Sequence, residues 1–274
     1  CISSAASDVY KRQGLGLLLA CLLFARKYKV NFKWLIDRIV LVVALAGCFI
    51  RFGNFMNSEI IGKPVSDASG VIFINNTEQL ILGNKHIVSS ITYTDLNTDT
   101  TIFGVTYPKL RFTLKGADKI SLGEMENYYL TISQQSLFNS RYNVGHRHVK
   151  VIKGNTPHLV ALKEGNSSEA YFDAYVITRH PSQLYESLSS GILFVVLMLL
   201  YKKYGANTPH GLLSGVFFIY IFLLRFFYEF LKENQVDMEN DMLFNMVQKL
   251  SIPMVLFGVY LVYSAYKEKN NDSN

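Results

Sequence analysis

Cysteine is scarce in this chain of 274 residues, with three in all: Cys1, Cys21 and Cys48. Cys21 and Cys48 fall in apolar runs, and the long polar stretch of residues 63–178 has none. Neither a disulfide framework nor a set of metal thiolates is available. Charge is thin as well, at 18% of residues against 50% hydrophobic ones, a balance too oily for an ordinary soluble protein with one core. The net charge of +6 would suit nucleic acid, but the lysines and arginines gather beside apolar runs rather than in a basic stripe with interleaved aromatics, so no nucleic-acid partner is expected. No GxSxG or HExxH segment occurs, which leaves an intramembrane protease without its nucleophile or base. Paired broken helices and an inverted repeat are missing, which argues against a transporter. The histidines His86, His146, His148 and His158 lack the spacing of a zinc site, and His146-Arg147-His148 reads as a solvated strand edge. No metal and no cofactor is expected.

What the chain does have is long apolar segments. Mean hydropathy is only +0.18, so the membrane character comes from particular runs and not from the average. Residues 14–24 are apolar but fall short of the ~20 that a span requires, and read as the remnant of a longer helix. Further spans are predicted at residues 34 to about 57, 181–201, 211–231 and 250–266. The basic groups Arg26-Lys27, Lys29, Lys33 and Arg38, then Lys202-Lys203, then Lys267 and Lys269 all fall at the same membrane face, which the positive-inside rule makes cytoplasmic. Residues 1–13, CISSAASDVYKRQ, begin without methionine and abut a mid-helix pattern with no turn or cap. They read as non-native adaptor sequence and are set apart from the fold, with further helices expected upstream.

Residues 63–178 read as β structure facing the outside. Leu110, Phe112 and Leu114 alternate with polar partners, as do Leu130 and Ile132, and Val149 and Val151. Gly83-Asn84, Lys115-Gly116, Gly154-Asn155 and Gly165-Asn166 supply turns. The expected fold is a polytopic α-helical membrane protein with an inserted small extracytoplasmic β-rich domain. Its expected division is a leader at 1–13, transmembrane helices at 14–62 with the first one truncated, the β-rich insert at 63–178, transmembrane helices at 179–267, and a cytoplasmic tail at 268–274.

Two segments hold charge where hydrocarbon is expected, and a third holds charge at a helix entrance. Arg51 ends the apolar run 39–50 and shares a helical face with Asn54, while Gly53 permits a close approach and Gly62 a turn out of the membrane. A snorkelling arginine explains the same pattern. Arg225 and Glu229, spaced i, i+4 inside 211–231, face the same way and suit either a polar cavity or a self-neutralising ion pair. In Arg179-His180-Pro181-Ser182-Gln183-Leu184-Tyr185-Glu186, Pro181 fits a first helical turn, and Glu186 either complements the helix end or forms a polar wall of that cavity. Intramembrane arginine is costly unless it faces a polar cavity or an anion, and its fork fits phosphate oxygens in two-point contact. A phospholipid head group is the first candidate ligand.

Together, RFGNFMNSEIIG, RHPSQLYE and RFFYEF, in this order and at these membrane placements, resemble the bacterial prolipoprotein diacylglyceryl transferases. The resemblance covers residues 14–266 at the helices and is weak across the polar insert. It implies a multi-pass enzyme of the bacterial inner membrane with a cytoplasmic carboxyl end and the β insert in the periplasm. The implied activity is the first step of lipoprotein maturation, transfer of the diacylglyceryl group of phosphatidylglycerol to the lipobox cysteine of a preprolipoprotein. The implied partners are phosphatidylglycerol, lipobox peptides and the lipid bilayer.

Carried over residue by residue, the family's phosphatidylglycerol-binding positions fall on Arg51, Asn54 and Gly62, and its catalytic positions on Glu59, Glu186, Arg225 and Glu229. Two departures stand out. Ile221 occupies the place of a family tyrosine, with Tyr220 one position off, and the His-Gly-Gly expected before Gly16 is missing, with Lys11 where the histidine belongs. With that histidine and the upstream helices absent, the chain as it stands is expected to bind lipid poorly and to be inactive. The competing reading is a membrane-anchored envelope binding module acting through its outer β domain.

Overall fold

A computed structural model of the protein describes residues 16–66, 69–133, 149–150, 158–163, 168–232 and 245–272. The leader 1–13, Lys11 within it, His146, His148, Val151 and the turns at Gly154-Asn155 and Gly165-Asn166 lie outside the described residues. The helices are α1 (residues 16–28), α2 (Phe32–Met56), α3 (Asn75–Ile81), α4 (Leu122–Ile132), α5 (Ser182–Tyr204), α6 (Leu212–Tyr228) and α7 (Met246–Asp272). The strands are β1 (Val71–Ile72), β2 (Val88–Asp95), β3 (Thr100–Ile102), β4 (Val105–Tyr107), β5 (Lys109–Gly116), β6 (Val149–Lys150), β7 (Val160–Lys163), β8 (Glu169–Val176) and β9 (Thr178–Arg179). They divide into two compact units: Cys1–Gly53 with Leu184–Phe230 and Asn234–Asn274, and Asn54–Gln183 with Leu231–Glu233.

In the helical unit, four helices are long and apolar enough to cross a membrane: Phe32–Met56, Ser182–Tyr204, Leu212–Leu231 and Met246–Asn271. This is a multi-pass membrane protein. α7 begins earlier than the apolar run, because Asn245 and Gln248 cap it reciprocally. Gln248 N–H donates to Asn245 Oδ1 at 2.9 Å, and Asn245 N–H to Gln248 Oε1 at 3.1 Å. The helix also carries Pro253 within it.

Small residues set how these helices meet. α2 meets α5 through Gly47, Cys48 and Ser187, whose hydroxyl donates to the Cys48 carbonyl at 2.8 Å. A Cβ on Gly47 would lie 3.6 Å from Ser190 Oγ. α6 and α7 approach more closely still. A Cβ on Gly215 would fall 2.9 Å from the Gly258 carbonyl oxygen and 2.7 Å from Val262 Cγ2, and one on Gly258 would fall 2.9 Å from the Gly215 oxygen. In lipid, helix association relies on such van der Waals contact because the tails offer no hydrophobic drive.

The start of α6 is capped from another helix. Asp37 of α2 is fully buried and accepts from Gly211 N–H at 2.7 Å, Ser214 N–H at 2.8 Å and Ser214 Oγ at 2.7 Å. Three donors and the positive helix end hold a carboxylate that would otherwise be costly at this depth. Gly211 itself adopts φ +98, a conformation that favours glycine.

The second unit is built on a five-stranded antiparallel sheet in the order β2-β5-β8-β6, with β7 also pairing β8. β5 and β8 alternate strictly, so Leu110, Phe112, Leu114, Ala170, Phe172, Ala174 and Val176 point inward. Phe112 stacks on Phe172 at 4.8 Å, Tyr129 of α4 leans on the same ring at 5.0 Å, and Ile81 of α3 closes the core. On the opposite face the cross-strand neighbours Arg111 and Asp173 form a two-point pair at 2.8 and 3.0 Å. That pairing holds the Asp173 carboxyl below its ordinary range.

One strand expectation is corrected here. Leu130 and Ile132 belong to helix α4, not to a strand. Ser121 and Glu124 close a capping box at its start, and Met125 and Tyr129, one helical turn apart, are its buried positions, so a period near four overrides the short alternation at 130–132. The hydrogen bonds from Ser121 keep the Glu124 carboxyl low.

Candidate functional site

Within the helical unit, one cavity of about 70 Å³ is lined by Arg51 of α2, Glu186, Ser189 and Ser190 of α5, and Ile221, Leu224, Arg225 and Tyr228 of α6. The helices converge here for the packing reasons given above. The small residues of α2 and α5 let the two backbones close, which carries Arg51 onto Glu186. Arg51 Nε lies 2.9 Å from Glu186 Oε2, and the carboxylate is buried while the guanidinium is half-buried. Glu186 is therefore a wall of the cavity.

Arg225 is exposed and lies in the last turn of α6. It is nearer the helix end than the apolar run 211–231 suggested, because the chain passes into a 3₁₀ turn at Glu229–Leu231. A cation in the last turn suits the helix dipole. The i, i+4 spacing predicted a pair with Glu229, but no ion pair joins Arg225 to Glu229 among the described residues. Glu229 keeps helical dihedrals and donates its N–H to the Arg225 carbonyl, but its carboxylate accepts from Asn245 Nδ2 at 2.9 Å. That contact ties it to the capping residue of α7, and Arg225 keeps its guanidinium on the cavity wall.

Asn54, Glu59 and Gly62 belong to the other unit. There the two motifs RFGNFMNSEIIG and RHPSQLYE are knitted together through backbone carbonyls. Arg179 Nη1, almost fully buried, donates to the Gly62 carbonyl at 2.9 Å, Ser182 Oγ to the Ile60 carbonyl at 3.4 Å, and Gln183 Nε2 to the Glu59 carbonyl. Asn54 accepts through its own carbonyl from Glu59 N–H at 2.9 Å. A Cβ on Gly62 would stand 2.3 Å from the His180 carbonyl oxygen, so glycine is required there by close backbone approach. Glu59 itself is exposed.

Ser189, Ser190 and Tyr228 line the cavity without having been singled out in the sequence. The signal was present: Ser189 and Ser190 follow Glu186 by three and four residues, and Tyr228 follows Arg225 by three, so each shares a helix face with a charged wall residue. The Ser189 hydroxyl hydrogen-bonds the Tyr228 hydroxyl and donates to the Tyr185 carbonyl. Two guanidinium groups, one carboxylate and three hydroxyls around a cleft of this size can hold a phosphate ester with neutral polar groups beside it.

The comparison with protein families assigns residues 14–264 to the family described as prolipoprotein diacylglyceryl transferase. Among curated relatives, the phosphatidylglycerol–prolipoprotein diacylglyceryl transferase of Bacteroides fragilis is 28% identical over 256 residues, covering 93% of this chain and 57% of that protein. The Tolumonas auensis protein of the same name is 28% identical over 257 residues, covering 93% of this chain and 61% of its own length. That of Chloroherpeton thalassium reaches 40% identity over 93 residues, or 34% of this chain and 35% of the relative. The chain thus spans 57% to 61% of the length of the first two relatives. With the family match running almost end to end and the three motif segments inside it, this chain belongs to the prolipoprotein diacylglyceryl transferase family.

Proposed function

We propose that the protein transfers the diacylglyceryl group of phosphatidylglycerol to the lipobox cysteine of preprolipoproteins, and that the cavity described above holds the phosphodiester. The single observation that carries this reading is that Arg51 and Arg225, separate in sequence and on different helices, line one cleft. In the reaction the cysteine sulfur bonds to the glycerol carbon of the diacylglyceryl group. The carbon–oxygen bond to phosphate breaks, and its electron pair leaves on glycerol phosphate. The thiol proton goes to a base, since free cysteine, with a pKa of about 8.5, is mostly protonated at neutral pH.

Arg51 and Arg225 neutralise the departing phosphate oxygens, an effect strengthened in a low-dielectric site. Glu186 orients Arg51 through its ion contact. Glu229 acts at one remove, by fixing the start of α7 beside α6. Asn54, Glu59 and Gly62 are the further substrate-binding and catalytic positions, a proposal that rests on the motif match. In this reading the site belongs to the bacterial inner membrane, with the sheet unit as an extracytoplasmic, periplasmic insert; the lysines at the ends of α5 and α7 support a cytoplasmic side there by the positive-inside rule.

The test is diacylglyceryl transfer from phosphatidylglycerol vesicles to a lipobox peptide by the full-length protein, read as the mass gain of the peptide. Arg51→Ala is expected to reduce transfer about 10²-fold or more, the loss typical of removing one transition-state donor. Lys202→Ala, at the basic end of α5, is expected to leave it unchanged. Equal rates in the two variants would remove the phosphate-clamp assignment.

A further inference from the structure

We propose that Tyr228, positioned by Ser189, reads the head group beyond the phosphate and selects one that carries a hydroxyl over one with no donor, while the charge of the cavity wall disfavours an ammonium. This inference rests on the phospholipid reading of the cavity and goes further by assigning the selectivity to a hydroxyl pair.

Charge supplies the first half of the argument. The cavity wall has two guanidinium groups and one carboxylate, and Arg51 engages that carboxylate at 2.9 Å. One formal positive charge is left over, which matches the single negative charge of a phosphodiester. An ammonium on the head group would bring a second cation to Arg225, while the one carboxylate lining the cavity among the described residues is already held by Arg51. A carboxylate or a phosphomonoester would add negative charge with nothing to balance it. Only an uncharged head group preserves neutrality in a site where mismatched charge is penalised.

Hydrogen bonding supplies the second half. Ser189 has one hydroxyl proton and donates it to the Tyr185 carbonyl, so in the Ser189–Tyr228 contact the phenol is the donor. The Tyr185 carbonyl also lies 3.4 Å from the phenol oxygen. With its proton committed to the α5 side, Tyr228 keeps the lone pairs of its oxygen as acceptors on the cavity wall. A hydroxyl-bearing head group can donate to them. Ser189 is buried, so the anchor of the phenol is shielded from competing water. A site built around a substrate hydroxyl discriminates strongly against analogues that lack it, because its polar groups are then left unpaired.

The experiment is competitive lipid retention by the full-length protein, read by native mass spectrometry with acyl-matched phosphatidylglycerol, phosphatidylethanolamine and phosphatidylmethanol. Phosphatidylmethanol is a phosphodiester with no head-group hydroxyl. The unmodified protein is expected to prefer phosphatidylglycerol over each of the others by about tenfold or more. Tyr228→Phe, which removes one oxygen, should bring the preference over phosphatidylmethanol to within about threefold while retaining phosphatidylmethanol as the unmodified protein does, and should leave the charge-based preference over phosphatidylethanolamine in place. Ser189→Ala, which frees the phenol, should shift the phosphatidylmethanol ratio in the same direction. An unchanged phosphatidylglycerol-to-phosphatidylmethanol ratio in Tyr228→Phe would overturn the proposal, and so would a loss of phosphatidylmethanol in that variant, which marks a merely structural tyrosine. If the unmodified protein retains none of the three lipids, the phospholipid reading itself fails, and this inference with it.

Discussion

The two units of this protein bury opposite things. In the sheet unit Phe112, Phe172, Leu114 and Tyr129 are inside, and charged groups such as Arg111 and Asp173 lie across the opposite face. In the helical unit Leu188, Val195, Leu199, Phe49 and Leu256 are exposed, while Asp37, Ser214, Gln248 and Ser251 are buried. Each arrangement fits a different surrounding medium. Water rewards removing apolar surface, whereas hydrocarbon is neutral toward leucine and punishes an unsatisfied polar group. In the helical unit these satisfied polar groups lie beside an apolar cluster of Val40, Ala44, Leu193, Leu197 and Leu213, and the cavity lined by two arginines adds to the polar part of that interior.

The sharpest way to break this contrast is to truncate one large side chain in each unit. Phe112→Ala in the sheet core should cost about 3–5 kcal/mol. Leu188→Ala, on an exposed helix face, should change the unfolding midpoint little in detergent. The check is thermal unfolding followed by circular dichroism. Similar losses at both sites would mean that the Leu188 face is buried against something. The converse substitution sharpens the point. Val195→Asp, near the middle of α5, should cost membrane insertion about 2.5–3.5 kcal/mol in a glycosylation-tag insertion assay. Ser90→Asp, exposed on β2, should stay within about 0.5 kcal/mol of the parent protein.

Asp37→Ala removes the cap that α2 lends to α6 and leaves two buried amides and a hydroxyl without their acceptor. A loss of about 2 kcal/mol is expected, the upper end for a helix cap. It should be accompanied by faster amide exchange at Gly211 and Ser214. A parent-like exchange rate would show that the cap is dispensable.

The smallest effect is the response of the sheet unit to acid. Asp173 and Glu124 have carboxyls held low by Arg111 and by Ser121 respectively. A depressed folded-state pKa contributes stability that is fully present above the unfolded value, about 3.9 to 4.3, and is lost as pH falls through the folded one. The sheet unit should therefore weaken only below about pH 4, and the slope should flatten in Asp173→Asn. A slope unchanged by that substitution would remove the Arg111 pair as its cause.

The spans were legible because lipid demands a continuous apolar run, which a sequence displays directly. β5 was legible for a related reason: Leu110, Phe112 and Leu114 alternate because one face of the sheet is buried. α4 was misread at Leu130 and Ile132 because two apolar residues separated by one fit a strand, while the capping box at Ser121 and Glu124, which decides the matter, lies a full helical segment earlier. The site was legible in its parts and not in its pairings. Arg51, Glu186 and Arg225 were singled out as charges out of place, but the partner of Arg51 comes from a distant segment, and no local spacing encodes it. For Arg225 and Glu229 local spacing misled, because Asn245, distant in sequence, engages the Glu229 carboxylate. Asp37 went unnoticed because a lone acid in an apolar helix carries no sign of the helix end that it caps.

The central claim is that two arginines grip one phosphate in one cleft, and a double-mutant cycle on phosphatidylglycerol retention by the full-length protein tests it most directly. If Arg51 and Arg225 hold the same phosphodiester, Arg51→Ala, Arg225→Ala and the double variant should be non-additive, with a coupling of about 1 kcal/mol or more. Losses that add to within about 0.3 kcal/mol would place the arginines at independent sites and contradict the account.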